Sequence, residues 1–337
     1  MYFWDREKER KILREYLLDP NPDSIFFIYG PRKSGKTSLV LKVLRDLKKE
    51  YGNLLKFDTH IFKLSGRRAL DGSDLIRMMR KEFVREEEEV DDEEDFFVIE
   101  IGNSSVSSVS DILYEIEKRE TKTLIIFDGL NSRVTPMIDE DDFDGVFTHV
   151  EEDIFRDFFE LLTVLTYESE LAHVIVTTSS LFIVDHVLKS HVLRNSSRFM
   201  SVDYFPDDLT FSILVSEGLS KEEAEYFVKF VGGIPKMMKK VLSGVKVQDV
   251  IKEVYRYSRM WIFELLRNEG NFREILQRVL SGENLYHDEE SFDLVKKLTD
   301  MGILYIDVLK SCVRFSSKIE RNTTAKILGF KETKIGG

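Results

Sequence analysis

The sequence predicts an α/β protein in which a parallel sheet alternates with helices, followed by a helical stretch and a C-terminal helix–helix–hairpin unit. Three observations carry this. Residues 25–29 form a short apolar run of β-favouring side chains, and residues 38–44 follow with helical spacing, so the chain reads strand, loop, helix. Residues 123–128 are a second apolar strand that ends on a carboxylate, Asp128. Far downstream, helical patterns over 271–280 and 291–301 precede two short β runs, 303–309 and 313–316, with Lys310 and Ser311 at the turn. That is the pattern of a winged helix-turn-helix.

The loop between the first strand and its helix, Gly30-Pro31-Arg32-Lys33-Ser34-Gly35-Lys36-Thr37, fits G-x-x-x-x-G-K-[ST] at every position. The chemistry explains the residue types. Gly30 and Gly35 let the backbone curl so that successive N–H groups face one anion. A helix starting near Lys36 aims its free N–H groups and positive dipole end at phosphates. Lys36 is expected to reach the β- and γ-phosphates, Thr37 to place its hydroxyl on Mg²⁺, and Ser38 to sit at the same helix end. Asp128 is expected to hold that Mg²⁺ through water.

Composition sets the bounds. The 337 residues suffice for two or three domains, and 42% hydrophobic with 33% charged residues describes a globular chain. No apolar run approaches the ~20 residues that span a bilayer, so no membrane association is expected. The opening residues lack the apolar core of a secretory signal. Cys312 is the only cysteine, so no internal disulfide forms, and the expected location is the cytoplasm. A net charge of −12 argues against a surface that is basic all over, but the charge is uneven. Residues 86–95 are acidic at every position except Val90, while Lys310, Arg314, Lys318, Arg321, Lys326, Lys331 and Lys334 face only Glu320 and Glu332 in the tail.

In order, residues 5–18 read as an amphipathic helix, preceded by Tyr2, Phe3 and Trp4, which either stack on a nucleotide base or pack on the domain. The first strand and the loop helix to about residue 49 follow. Residues 54–64 read as a strand, 74–89 as a helix running into the acidic surface loop, 96–101 as an extra strand or buried segment, and 107–120 as a helix. After the Asp128 strand, residues 131–153 make a long acidic excursion on the ligand side of the sheet. Then come a helix over 154–167, a strand over 172–177 ending in Thr177-Thr178-Ser179-Ser180, a short helix over 181–189 and a strand over 198–204. Residues 206–231 read as two helices parted near Gly218. Gly232-Gly233-Ile234-Pro235 breaks the pattern, and helices over 236–242 and 247–268 lead into the C-terminal unit.

These landmarks resemble the archaeal P-loop ATPases of the STAND and AAA+ group, relatives of the archaeal origin-recognition ATPases. The resemblance runs from about residue 3 to 242. It rests on Phe3-Trp4-Asp5-Arg6-Glu7, on residues 29–39 with Arg32 inside the loop, on the Asp128 strand, on residues 177–180, on Arg198, and on Gly232-Gly233-Ile234-Pro235. It implies a P-loop NTPase core with five parallel strands in the order 5-1-4-3-2; with the C-terminal pattern above, the expected domains are that core (1–205), a helical lid (206–245) and a winged-helix domain (246–337). It implies ATP and Mg²⁺ as ligands, with Phe3, Trp4 and Arg6 beside the nucleotide. It further implies Thr178 or Ser179 as the group that orients the attacking water, and Arg198 as an arginine that meets the γ-phosphate in its own chain or across a homo-oligomer contact; a surface arginine at a strand start is the other reading of Arg198. One departure stands out. Hydrolysing relatives follow the strand-end Asp with a Glu that activates water; here Gly129 follows Asp128, and a base must come from Glu140, Glu151 or Glu152 or be missing. The expected function is an ATP-driven switch with slow hydrolysis, its C-terminal domain binding duplex DNA or a protein. The rivals are a nucleotide-dependent binding protein without turnover and a small-molecule kinase.

Overall fold

The computed structural model describes residues 6–52, 57–64, 71–84, 97–98, 109–119, 121–130, 155–268 and 271–330. The acidic stretch 86–95, the whole excursion 131–153 with Glu140, Glu151 and Glu152, and Phe3 and Trp4 lie outside them. The chain divides into two compact units. One comprises Arg6–Tyr29 and Lys36–Ser201; the other comprises Gly30–Gly35 and the described part of Val202–Gly337.

The first unit is a parallel sheet with helices. Its strands are β1 (Ile25–Tyr29), β2 (Phe57–Lys63), β3 (Phe97–Val98), β4 (Lys122–Asp128), β5 (Ala172–Thr178) and β6 (Ser197–Ser201). They lie in the order β3-β2-β4-β5-β1-β6, and every pairing is parallel. Counting only the five expected strands gives 5-1-4-3-2; the difference is a sixth, the two-residue β3, added beyond β2 at the edge. β1 and β5 are buried at every residue, as a strand covered on both faces must be.

The helices of this unit are α1 (Glu7–Leu18), α2 (Lys36–Tyr51), α3 (Gly72–Phe83), α4 (Val109–Glu117), α5 (Arg156–Thr163), α6 (Leu181–Lys189) and α7 (His191–Asn195). α2 buries Leu39, Val40, Val43, Leu44 and Leu47, a stripe at helical spacing that lays its axis along the sheet. α3 starts earlier than the periodicity suggests because Asp71 and Asp74 form a reciprocal capping box. α5 runs on through a π-helical turn, Val164–Glu168, before β5. The core on one side of the sheet gathers Phe62, Phe127, Phe158 and Phe159, with Phe62 stacked on Phe127 at 5.0 Å and Phe158 edge-on to it at 4.9 Å.

Among its described residues the second unit is helical apart from one hairpin. It contains α8 (Asp207–Ser216), α9 (Lys221–Phe230), α10 (Pro235–Leu242), α11 (Val247–Asn268), α12 (Asn271–Leu280), α13 (Glu289–Asp300), the antiparallel pair β7 (Leu304–Asp307) and β8 (Cys312–Phe315), and α14 (Lys318–Leu328), which the sequence pattern did not reveal. α9 carries a full Ser220/Glu223 capping box, and Ser317 caps α14. The expected fifth strand stops at Ser201 rather than Tyr204. The residues after it leave the sheet, and Phe205 instead bridges Gly233, where an added Cβ would meet the Phe205 carbonyl oxygen at 2.0 Å.

The C-terminus of α1 is tied to the start of β5 by two side chains. The Tyr16 hydroxyl lies 2.9 Å from the Ser24 carbonyl and accepts the Val174 N–H at 3.0 Å. His173, edge-on to Tyr16 and Phe57, lies 3.0 Å from the Asp19 carbonyl through Nε2, so Nε2 carries the proton and donates. Burial pushes the His173 pKa down to about 4. The unfolded chain, with a pKa near the ordinary ~6.5, therefore takes up this proton first as pH falls. Stability contributed by neutral His173 is complete above about pH 6.5 and is lost progressively down to about pH 4, on the order of 3 kcal/mol in total. Denaturant unfolding at pH 7 and pH 5 should show this loss, and His173→Gln should flatten it; an unchanged slope would mean that other groups set the acid limit.

Candidate phosphate-loop site

The loop after β1 has the backbone an anion-binding turn requires. Gly30 has φ 150°, Lys33 67° and Gly35 99°, three positive values in six residues. Gly30 is obligatory for a second reason: a Cβ there would stand 2.2 Å from the Val202 carbonyl oxygen. The Ser34 N–H donates to the Pro31 carbonyl at 3.3 Å, which closes the turn. Pro31 and Ser34 are buried, whereas Arg32 and Lys33 are exposed. α2 then begins at Lys36, itself largely buried, so its first N–H groups and the Lys36 ammonium stand at the same end.

Sheet register brings the second half of the site to that end. β1 pairs Tyr29 with Thr178 of β5, and β5 pairs Thr177 with Asp128 of β4, so the strand ends are level. The Thr37 hydroxyl donates to Asp128 Oδ1 at 2.6 Å, joining the first residues of α2 to the end of β4 across the sheet. The same oxygen accepts the Thr177 hydroxyl at 2.8 Å. Thr177 Oγ1 in turn accepts the Gly129 N–H at 2.9 Å, and the Thr177 carbonyl accepts Leu130 N–H at 2.9 Å. Asp128 is buried, and two hydroxyls satisfy the oxygen it presents.

The expected site residues fall in different places. Thr177 is the residue of this strand end that joins the carboxylate. Successive side chains of a strand point to opposite faces, so only one of the pair can face Asp128. Thr178 is fully buried and its Oγ1 accepts the Ser180 N–H at 2.9 Å, which commits it to the turn after β5; Ser179 is half-buried beside it. Arg198 lies away from this strand end. It pairs in register with Phe26, near the start of β1, whereas the phosphate loop leaves the far end at Tyr29. At ~3.3 Å per residue that is about 10 Å from the last residue of the strand. Its guanidinium instead grips both oxygens of Asp23 at 2.8 and 2.7 Å. Burial raises the Asp23 pKa, but hydrogen bonds from Ser24 and Arg198 outweigh it and hold the carboxyl below its ordinary value. Arg198 is thus engaged with Asp23 near the start of β1, as a surface arginine at a strand start would be. Arg6, at the start of α1, donates to Glu9 at 2.9 Å.

The donors present fit a divalent cation of the Mg²⁺ type. A threonine hydroxyl and a carboxylate oxygen 2.6 Å apart, at a helix N-terminus that attracts phosphate, are hard oxygens of the kind Mg²⁺ shares with water and phosphate. Among the described residues no cluster of three or more His, Cys, Asp or Glu could hold a metal by itself.

Comparison with known proteins gives the family. Residues 3–241 match the model of a family described as an ATPase domain predominantly from Archaea. The chain belongs to this archaeal ATPase family. An uncharacterized ATP-binding protein of Pyrococcus abyssi is 26% identical over 328 residues, covering 95% of this chain and 96% of that protein. An uncharacterized ATP-binding protein of Methanocaldococcus jannaschii is 25% identical over 345 residues, covering 94% and 92%. Among solved structures, the Aeropyrum pernix ORC1 protein in complex with DNA is similar over 96% of this chain and 93% of its own, with 13% identity and a TM-score of 0.49. Among the described residues no helix is long and apolar enough to cross a membrane.

A lysine at this position of a phosphate loop would face the β/γ-phosphates of a bound nucleotide. Charge-assisted contacts of that kind contribute ~1.5–3 kcal/mol. Lys36→Ala is therefore expected to lower ATP affinity at least tenfold by calorimetry with the fold retained; unchanged affinity would contradict the assignment.

Proposed function

We propose that this ATPase is a slow molecular switch: it binds Mg-ATP at residues 30–38 with Thr37 and Asp128 on the metal, hydrolyses it poorly, and acts on a partner through its C-terminal segment. The observation that carries the reading is the 2.6 Å meeting of Thr37 with Asp128 at the open end of the sheet. Mg²⁺, when bound, would neutralise charge on the β- and γ-phosphates. The chain's own residues do the rest: backbone amides of 30–36 cradle the phosphates, Lys36 supplies a fixed cation, and Thr177 holds Asp128 in one orientation.

Slow turnover follows from Gly129. Hydrolysis needs a group that orients and deprotonates water, worth typically ~10²–10⁴-fold. Gly129 has no side chain, and its N–H is spent on Thr177. Its φ of 82° belongs to the region that glycine tolerates at no cost.

The C-terminal segment, read as a winged helix from α12, α13 and the β7–β8 hairpin, supports a protein partner over DNA. α13 exposes Glu289, Glu290 and Asp293 beside Lys297. The basic residues that the tail offers are partly neutralised at home: Lys310 by Asp307 at 3.1 Å, Arg314 by Asp203 and Lys318 by Asp207, each at 2.5 Å. Duplex DNA binding by the full chain with a steep salt dependence would contradict this preference.

The decisive kinetic test is Gly129→Glu beside Gly129→Gln. Both carry the same strain, on the order of 1–2 kcal/mol at a left-handed φ. Native turnover is expected well below the ~1–10³ s⁻¹ usual for enzymes. Only the Glu variant should raise it, by at least tenfold. Rapid native turnover, or equal rates in the two variants, would contradict the account of Gly129.

A further inference from the structure

The middle of the phosphate loop is held by a side chain the sequence gives no reason to notice. The Tyr204 hydroxyl donates to the Arg32 carbonyl at 2.7 Å. That carbonyl shares a peptide plane with the N–H of Lys33, and in a trans peptide the two point in opposite directions. The bond that draws the carbonyl toward Tyr204 therefore aims the Lys33 N–H away from it. It also fixes one side of Lys33, whose φ of 67° is a conformation that a non-glycine residue keeps only when its surroundings hold it.

Tyr204 is in turn set from the C-terminal hairpin. Its backbone N–H donates to Asp203 Oδ1 at 2.7 Å. Asp203 Oδ2 accepts Arg314 Nη2 of β8 at 2.5 Å, and the Arg314 guanidinium lies 4.7 Å from the centre of the Tyr305 ring on β7. The hairpin thus reaches the phosphate loop in three bonds, Arg314 to Asp203 to Tyr204 to Arg32, all within one compact unit. Burial pushes the Tyr204 pKa up, so its hydroxyl remains a donor throughout the neutral range.

We propose that Asp203 and Tyr204 are positioning residues, a relay through which the β7–β8 hairpin sets the phosphate loop for nucleotide. The relay rests on the reading of residues 30–38 as the nucleotide site. It works in both directions by linkage. A partner that draws Arg314 off Asp203 loosens the loop and weakens ATP binding, and bound ATP strengthens the hold of Asp203 on the hairpin. This supplies the switch with its connection between nucleotide and partner.

The test uses the full chain and titrates Mg-ATP calorimetrically. Tyr204→Phe keeps the ring and removes the hydroxyl; it should weaken ATP about five- to tenfold, the worth of one neutral hydrogen bond. Arg314→Ala should weaken ATP about threefold in the native background and have no further effect in Tyr204→Phe. Arg314→Lys should recover part of the loss. A side chain that merely supports the fold would give additive losses and would lower the melting temperature of the nucleotide-free chain in step with affinity, whereas the relay predicts coupled losses at a nearly constant melting temperature. Asp203→Asn, which keeps the shape and removes the charge, tests the same bond should Arg314→Ala fail to fold. Lys36→Ala separates the two levels. Loss of affinity there with none in Tyr204→Phe overturns the relay and leaves the nucleotide site standing; no loss in either overturns both.

Discussion

Thr37 and Asp128 are 91 residues apart and meet at 2.6 Å. That contact depends on the parallel register of three strands. β1, β5 and β4 lie side by side with Tyr29, Thr178, Thr177 and Asp128 level, so the helix that leaves β1 begins next to the carboxylate that ends β4. A one-residue slip between β4 and β5 would turn Asp128 to the other face and leave a buried carboxylate without its hydroxyl partners. The apolar interior of the sheet, with β5 buried along its length, protects that register. Core packing and the Thr37–Asp128 contact are therefore one requirement: the phenylalanines that cover the sheet hold the strand ends at which hydroxyl and carboxylate meet.

The phosphate loop adds a second constraint, on backbone rather than side chains. Three positive φ values in six residues commit the chain to a curl that only glycine adopts freely, and two of the three positions are glycine. The third, Lys33, follows the carbonyl that Tyr204 holds. Val202 fills the space that a side chain on Gly30 would need. The loop is thus shaped by residues at the exit of the last strand, the point where the chain leaves the sheet for the C-terminal helices. Hydrogen bonds and an ion pair already in place join that exit to the β7–β8 hairpin.

Much of this was legible in the sequence. The G-x-x-x-x-G-K-[ST] loop between an apolar strand and a helix carries its own mechanism, and the strand ending at Asp128 could be paired with it by chemistry alone. The five main strands followed from apolar runs bounded by turn residues, and their order from family resemblance. What was hidden depends on contacts between distant residues. Thr177 and Thr178 are the same residue type, and only the register with β4 shows which faces Asp128. Arg198 starts a strand at the expected place in the chain, but its pairing with Phe26 puts it at the far end of the sheet from the loop. The tail looked basic as a string, yet Arg314 and Lys318 meet Asp203 and Asp207, over a hundred residues earlier. Tyr204 read as the last residue of a strand; no periodicity marks a tyrosine whose role lies in its hydroxyl.

The central claim is that Thr37 and Asp128 form a metal site completed by ATP. The most direct measurement is ATP affinity with and without Mg²⁺ in the native chain and in Asp128→Asn, which keeps the shape and removes the charge. The account predicts that Mg²⁺ tightens ATP binding at least tenfold in the native chain and has little effect in the variant. Equal Mg²⁺ dependence in both proteins would contradict it.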